Sequence, residues 1–309
     1  LYMAIILLGT PFQMASFTLN SQLRMQGNAR YAMWGIISGA LLNVVLDPIL
    51  IFACNLGLRG AALATVIGQL VSVAVLLAMC HFRATAGVRL RPRYFSLHWH
   101  YVREIVYGGS PSLSRQGLAS ISVILLNVAA AGYGDAAVAA MSIVSRVTMF
   151  VMAVIVGLGQ GFQPFCGYCF GAALYNRLRH GFWFTVRVGF IFLLFFSAVF
   201  FCFAEQTIAV FRDDAIVIAI GSTALRWHLA VYPLNAYIMA GNMMLQTTRR
   251  PIRANVLSSA RKGLVFIPFI LILPHLFGLM GIAMCQAVCD VVTFIIAIPI
   301  VRSAFREMT

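Results

Sequence analysis

YAMWGIISGALLNVVLDPILIFA, residues 31–53, decides the fold class of this chain. A helix needs roughly 20 mostly apolar residues to cross a bilayer, and this stretch supplies them with Asp47 as its one charged residue. Similar apolar runs recur along the chain and predict nine membrane spans, at about residues 1–20, 31–53, 60–81, 105–131, 137–163, 182–204, 215–245, 257–274 and 279–301. The predicted fold is therefore all-α, a polytopic transmembrane helix bundle.

The composition excludes a soluble protein. Hydrophobic residues make up 61% of the chain and charged residues only 10%, whereas soluble domains are about 45–50% apolar and about 25% charged. The formal net charge of +14 comes from 22 Lys and Arg against 8 Asp and Glu. These basic residues stand in small groups between apolar runs rather than on one solvated face. We therefore expect membrane lipid around the protein and no nucleic-acid partner.

The arginines alternate between the connections that join the predicted spans. One set of alternate connections holds most of them, while the other set has only Arg59 and Arg212 as cations, together with several acids. The positive-inside rule places the arginine-rich connections in the cytoplasm. This pattern predicts a multi-pass protein of a bacterial inner membrane. A miscounted span would break the alternation, so the pattern supports all the predicted spans together.

Residues 11–82 resemble the chain 222 positions later. The aligned pairs are Pro11 with Pro233, Asn20 with Asn242, Leu23 with Leu245 and Ala32 with Ala254, then, after a one-residue gap, Gly57 with Gly278, Gly60 with Gly281 and Ala62 with Ala283. The third helix of each copy enters from the outer side, so the copies are parallel repeats related about the membrane normal. Three spans precede the second copy and none precedes the first. We therefore expect about three further helices before Leu1 in the intact protein.

A cation-coupling site is predicted around Asp47. A charge at membrane depth costs at least a few kcal/mol, so each such residue is a functional candidate. Asn43 lies one helical turn before Asp47, Pro48 frees a backbone carbonyl, and Thr65 on the next helix is expected at a similar depth. These oxygen atoms suit Na⁺ or reversible protonation. The alternative is that Asp47 caps or bonds a neighbouring helix.

Other charged and polar residues inside the spans are candidates for substrate binding or charge pairing. They are Arg115, Gln116, Arg146, Arg226 and Asp290. The arginines could bind an anionic substrate group or hold helices together through ion pairs. Asp290 could titrate, or it could neutralise a buried arginine. The sequence leaves both alternatives open.

No motif for catalysis or ATP-driven transport stands in the sequence. Residues 157–164 are glycine-rich, but no strand precedes them and no Lys-Ser/Thr follows them, which favours a bent or closely packed helix over a phosphate loop. There is no nucleophile–base–acid order and no H-E-x-x-H. We expect no enzyme activity and no cofactor beyond a coupling ion, H⁺ or Na⁺, with Asp47 as the place where Na⁺ would bind.

Several stretches resemble the multidrug and toxic compound extrusion (MATE) transporter family. They are residues 19–29, 42–52, 57–65, 157–164, 171–172 and 278–283. The resemblance implies a twelve-helix fold in two pseudo-symmetric six-helix lobes, of which this chain holds about nine helices. It implies that residues 1–81 are an incomplete amino-terminal lobe with helices four to six, that 82–104 are a cytoplasmic linker, and that 105–309 are the carboxy-terminal lobe.

The resemblance also implies a function and a site. It implies a secondary antiporter that exports small organic, often cationic, drugs or metabolites in exchange for H⁺ or Na⁺ by alternating access, and we expect a monomer. In the DinF-like bacterial branch, an acid on the first helix acts with an Asn, an Asp and a Thr, and Asn43, Asp47 and Thr65 match the last three. Another branch carries paired Glu on the seventh helix. Arg115 and Gln116 stand on that helix here, so we do not transfer the carboxy-lobe cation site.

Two alternatives to the antiporter interpretation stay open. One is a lipid-linked precursor flippase of the same superfamily, which predicts a cationic cavity that includes Arg115, Arg146 and Arg226. The other is a truncated membrane protein that inserts without transporting.

Overall fold

The computed structural model describes residues 2–82 and 98–308. The chain divides into two compact units, residues 1–96 and 97–309. Most of the predicted cytoplasmic linker at 82–104 lies outside the described residues, and helix resumes at Trp99. The division into lobes that the family resemblance implies stays a prediction.

Within residues 2–82, the first unit has three long helices. They are α1 (Tyr2–Met25), α2 (Ala29–Pro48) and α3 (Gly57–Phe82). Leu19, Leu23, Ala32 and Leu76 form a small core at one end of the unit. Further along, α2 and α3 lie so close that a Cβ atom on Gly68 would stand 2.8 Å from the Gly39 carbonyl oxygen.

Within residues 98–308, the second unit has nine α-helices in chain order. They are α4 (Trp99–Ala131), α5 (Asp135–Gly171), α6 (Tyr175–Cys202), α7 (Ala204–Phe211), α8 (Ala215–Val231), α9 (Asn235–Thr247), α10 (Pro251–Ser259), α11 (Phe266–Phe277) and α12 (Leu279–Arg306). Their apolar faces form three buried clusters, the largest of which combines α5, α8 and α12. Burial of these faces leaves the few polar interior residues between helices, where they must bond one another.

The predicted number of membrane spans is confirmed. Nine helices of the described residues are long and apolar enough to cross a bilayer, and no strand occurs among those residues. The helices are longer than the predicted spans: Asp135–Gly171, for example, extends beyond 137–163 at both ends. Hydropathy marks only the part of a helix suited to lipid, whereas the backbone ladder continues until a turn or cap ends it.

Three of the spans contain irregular turns. A 3₁₀ turn at Tyr232–Leu234 separates α8 from α9 at Pro233, where the ring removes a backbone donor. A π-helical turn at Ile49–Ala53 follows Pro48, and a second at Ala260–Leu264 joins α10 to α11. A π turn inserts an extra residue into a helix and redirects its side chains. Pro48 and Pro233 signal the first two breaks. Pro268, in the first turn of α11, signals the third, because a proline ring clashes with the carbonyl four residues earlier, here that of Leu264.

The internal repeat is visible in matching structural details. The Asn20 side-chain amide donates to the Ala32 carbonyl at 2.7 Å, and that of Asn242 donates to the Ala254 carbonyl at 3.1 Å. Gly57 and Gly278 both begin a helix with positive φ, at 52° and 58°. All of these residues are pairs that the sequence alignment predicts, so two copies of one three-helix pattern are present.

Candidate functional site

The predicted cation site lies at the carboxy-terminal end of α2. Asp47 is half-buried, and the Asn43 amide nitrogen stands 3.5 Å from its Oδ1 atom, a hydrogen bond at the limit of length. Thr65 donates to the Ala61 carbonyl of its own helix at 2.9 Å. Within residues 2–82 and 98–308, no salt bridge involves Asp47. Its carboxylate is therefore a membrane-depth acid with one weak polar partner.

A cavity of about 210 Å³ lies in the first unit beside this acid. Asn43 and Thr65 line it, whereas Asp47 does not. Its other polar lining includes Ser16 and Gln69, whose Oγ and Oε1 atoms are buried without a hydrogen-bond partner. The structure thus brings Asn43 to both Asp47 and Thr65, but it does not bring all three predicted ligands around one point.

A denser polar cluster surrounds Asp290 in the second unit. The Asp290 side chain is 0% exposed. Arg261 donates to it twice, from Nε to Oδ1 at 2.7 Å and from Nη2 to Oδ2 at 3.4 Å. Asn235 donates to Oδ2 at 2.8 Å and Gln286 donates to Oδ1 at 3.1 Å, while His228 Nε2 lies 3.8 Å from Oδ2. Both carboxylate oxygens therefore have close polar partners.

The irregular turns of the helices build this cluster. The 3₁₀ turn at Pro233 places Asn235 at the start of α9, and the π turn at Ala260–Leu264 carries Arg261. Gln286 and Asp290 are four residues apart on α12 and so share one face. Full burial with a bidentate guanidinium partner matches the charge-pairing alternative for Asp290, because an unpaired buried carboxylate would be costly.

Lys262 extends the cluster toward a second cavity. Its Nζ atom donates to Gln286 Oε1 at 2.9 Å and lies 5.9 Å from the centre of the Phe266 ring. The cavity beside it has a volume of about 380 Å³ and is also lined by Arg115, Gln116 and Arg261. Three basic side chains therefore converge on one cavity inside the second unit.

The remaining predicted arginines lie elsewhere. Arg226 pairs with Glu205 at 3.1 Å, and both side chains are exposed. Arg146 is exposed on α5. Of the three arginines proposed to form one cationic cavity, only Arg115 lines the cavity beside Lys262.

The sequence prediction did not select five members of the Asp290 cluster and its cavity. They are His228, Asn235, Arg261, Lys262 and Gln286. A usable signal was present, because Arg261 and Lys262 fall inside the predicted span 257–274, and Gln286 precedes Asp290 by one helical turn. No group of three or more His, Cys, Asp or Glu residues in the described ranges could hold a metal ion.

Comparison with known sequences gives matches over most of the chain. The MatE family model matches residues 111–272. The multidrug export protein MepA of Staphylococcus saprophyticus subsp. saprophyticus is 27% identical over 301 residues, which cover 97% of this chain and 66% of that protein. MepA of Staphylococcus aureus strain NCTC 8325 is 28% identical and covers 91% of this chain and 62% of its own length. The chain thus spans less than two thirds of these two relatives.

Solved structures share the fold. A crystal structure of MATE in complex with MaL6 matches with a TM-score of 0.91 and 25% identity, covering 99% of this chain and 70% of the other. An outward-facing multidrug resistance MATE family transporter of the MOP superfamily matches with a TM-score of 0.92 and 25% identity, covering 99% and 69%.

Proposed function

The chain belongs to the MatE family, and from that premise we propose that it is a secondary antiporter of the bacterial inner membrane. It exports organic, often cationic, drugs or metabolites by alternating access, in exchange for H⁺ or Na⁺. Two findings support export: the similarity to multidrug export proteins and the nine apolar helices found in the described part of the chain. Its partners are small organic substrates and membrane lipid, and it works as a monomer with H⁺ or Na⁺ as the coupling ion and no other cofactor.

The observation that carries the coupling proposal is the state of the Asp47 carboxylate. It lies inside an apolar span, and no salt bridge neutralises it among the described residues. A carboxylate in that setting gains by binding H⁺ or Na⁺, because burial penalises the bare charge. Asn43 and Thr65 supply further oxygen atoms on the two adjoining helices. Ion binding here and substrate binding then exclude one another during the cycle.

Gradient-driven efflux in liposomes tests the proposal. The purified chain is reconstituted, ethidium is loaded as the cationic probe, and a pH gradient or a Na⁺ gradient is imposed separately. Asp47→Asn is expected to reduce gradient-driven efflux to the level of empty liposomes, because the amide carries no charge for the ion to compensate. The gradient that drives the wild-type chain identifies the coupling ion.

Asp135→Asn is the matched control, since Asp135 is an exposed acid in the first turn of α5. It is expected to retain wild-type efflux. Undiminished efflux by Asp47→Asn would contradict the assignment of the ion site. Absence of gradient-dependent efflux from the wild-type chain would instead favour the alternative of a membrane protein that inserts without transporting.

The flippase alternative has weaker support. It predicts that Arg115, Arg146 and Arg226 line one cavity, but Arg226 pairs with Glu205 and Arg146 is exposed outside the cavity that Arg115 lines. Translocation of a polyprenyl-phosphate lipid by the same liposomes, without ethidium export, would restore that alternative.

A further inference from the structure

We propose that the cavity lined by Arg115, Arg261 and Lys262 binds the anionic group of an amphipathic organic compound. The cavity lies wholly within the second unit and holds about 380 Å³, which is within the roughly 300–1,000 Å³ of small-molecule sites. The ligand class is a carboxylate, sulfonate or phosphate attached to an apolar body. The site is separate from the ion site proposed at Asp47.

The charge balance of the lining favours an anion. Arg115, Arg261 and Lys262 contribute positive charge, and among the residues that the structure describes no acidic side chain lines the cavity. Asp290, behind the wall, is bonded by Arg261 and neutralises that one guanidinium. Lys262 is bonded to a neutral amide oxygen of Gln286 rather than to an acid. Two positive charges, on Arg115 and Lys262, therefore remain for a ligand.

Arg115 is the residue most available to a ligand. It is half-buried on α4, and within residues 2–82 and 98–308 it makes no salt bridge or hydrogen bond. An arginine stays protonated under all physiological conditions. Its guanidinium shares one cavity with two other cations, so their mutual repulsion is relieved when an anion enters. The planar fork suits two parallel hydrogen bonds to a carboxylate or phosphate, and Gln116 adds an amide beside it.

The apolar part of the cavity lining suits an apolar body. Met149, Met152 and Met239 line it with Val156 and Ile238. Methionine side chains are flexible and polarizable, so they adapt to flat ligands of different shape. A charged end and an apolar adaptable wall together select amphipathic anions and zwitterions rather than small inorganic ions.

The consequence for transport rests on the proposed export function. If the chain is an exporter, this site extends its substrates to compounds that carry an acidic group, including zwitterions that also bear a cation. The binding site itself does not depend on transport, because occupancy is measured without an ion gradient.

Three compounds with one apolar body and different charges test the site. They are 1-naphthoate, 1-naphthalenemethanol and 1-naphthylmethylammonium, titrated calorimetrically against the full chain in phosphatidylcholine nanodiscs. We expect 1-naphthoate to bind at least about tenfold more tightly than the neutral alcohol, since hydrogen bonds to charged groups are worth roughly this factor or more. The ammonium compound is expected to bind most weakly.

Two charge-removing variants locate the site. Arg115→Gln is expected to weaken 1-naphthoate binding about tenfold while leaving binding of the neutral alcohol unchanged, and that unchanged value shows that the cavity is still folded. Arg146→Gln is the matched control, because Arg146 is an exposed arginine outside the cavity lining. It is expected to bind all three compounds as the wild type does.

Replacing part of the phosphatidylcholine with phosphatidylglycerol identifies the source of the anion. Competition by phosphatidylglycerol that disappears in Arg115→Gln supports the site with a lipid headgroup as its occupant. If phosphatidylglycerol leaves the affinity for 1-naphthoate unchanged, the result supports the site with a soluble organic anion as its occupant. Equal affinity for the three naphthalene compounds, or equal 1-naphthoate binding by Arg115→Gln and Arg146→Gln, would overturn the proposal. The binding titrations do not depend on the efflux of ethidium. The anion site at Arg115 can therefore be disproved without disproving the ion site at Asp47, and the reverse.

Discussion

The two copies of the internal repeat share their backbone contacts and differ in their interior charge. Asn20 and Asn242 make the same bond to the carbonyls of Ala32 and Ala254. A Cβ atom added to Gly60 would collide with the Leu50 carbonyl, and one added to Gly281 would collide with the Leu273 carbonyl. Both copies therefore bring their last two helices together through a glycine. These shared features are the contacts that hold the backbones of neighbouring helices close together.

The polar interiors occupy corresponding positions of the two copies. With the registers of the sequence alignment, Gln69 falls opposite Asp290, Thr65 opposite Gln286 and Gly39 opposite Arg261. In the first copy these three positions line a cavity without charged residues. In the second copy they form the core of a buried ion-pair cluster. The charged cluster is therefore not a requirement of the three-helix pattern.

The acids of the two copies differ in position and in environment. Asp47 falls opposite Phe269, so it has no acidic counterpart in the second copy. Its nearest polar partner is an amide at 3.5 Å, whereas Asp290 accepts four hydrogen bonds from Arg261, Asn235 and Gln286. A carboxylate already neutralised by a guanidinium has little to gain from another cation. The comparison therefore favours Asp47 for ion coupling and Asp290 for holding Arg261 in place.

The largest difference between the copies is expected on removal of the buried acid. Asp290→Ala leaves Arg261 buried without its counter-charge and should lower the free energy of unfolding by about 3–5 kcal/mol. Gln69→Ala, at the corresponding position of the first copy, removes a neutral amide whose oxygen has no hydrogen-bond partner in the described residues, and should cost no more than about 1 kcal/mol. Unfolding in mixed micelles of dodecylmaltoside and sodium dodecyl sulfate, followed by circular dichroism, measures both.

A double variant separates charge from packing in this result. Arg261→Met with Asp290→Leu makes the second interior neutral, as the first one is, and should recover much of the loss caused by Asp290→Ala. A double variant as unstable as Asp290→Ala would show that the second copy needs its charges to fold. Equal losses for Asp290→Ala and Gln69→Ala would remove the distinction between the interiors.

A smaller difference is expected at the shared asparagines. The Asn242 side chain donates to the Ala254 carbonyl and to Ser258, and it accepts from Gln246. The Asn20 side chain donates to the Ala32 carbonyl. Asn242→Ala should therefore cost about 2–3 kcal/mol and Asn20→Ala about 1–2 kcal/mol. The same unfolding titration compares them, and a greater loss for Asn20→Ala would contradict the bonding described here.

The smallest and most nearly equal effects are expected at the paired turn glycines. Gly57 and Gly278 have φ values of 52° and 58°, and Gly278 combines its φ with a ψ of −137°, outside the left-handed helical region. Positive φ costs a residue with a Cβ atom on the order of 1–2 kcal/mol. Gly57→Ala and Gly278→Ala should each lower stability by about that amount. As a control, Gly161→Ala lies in the middle of α5, where no atom stands within 4 Å of an added Cβ, and it should not destabilise the protein. A large loss at only one of the paired glycines would show that the turns are not equivalent.

The sequence predicts the membrane spans and the repeat well because both depend on local properties. Apolar length determines a span, and Pro233 and Pro48 mark breaks that the structure contains. The paired glycines and asparagines could be aligned from sequence because backbone closure restricts the residue at those positions. Pro268 follows the end of the π turn at Ala260–Leu264 by four residues and so marks a break there too, but a proline does not predict that the turn is of the π type.

The ion-pair partners of the charged residues could not be predicted from the sequence. Arg226, Arg115 and Asp290 all fall inside apolar spans, yet the structure pairs Arg226 with an exposed glutamate and Asp290 with Arg261. Which arginine meets which acid depends on helix rotation and on the π turn, and both are properties of packing between distant segments. The ion site that we propose at Asp47 could be suggested from the sequence because Asn43 stands one turn away on the same helix.

In each copy, the asparagine side chain donates a hydrogen bond to the carbonyl twelve residues later, so the contact requires a fixed number of residues between the two groups. Substitutions can remove most of the sequence identity between two duplicated segments without affecting this contact. An insertion or deletion between the two groups, however, would move the carbonyl out of reach of the amide. The spacing between the two groups therefore matters more to this contact than the identity of the residues between them. Ancient duplications in membrane proteins of this kind are better sought by paired spacings than by percentage identity.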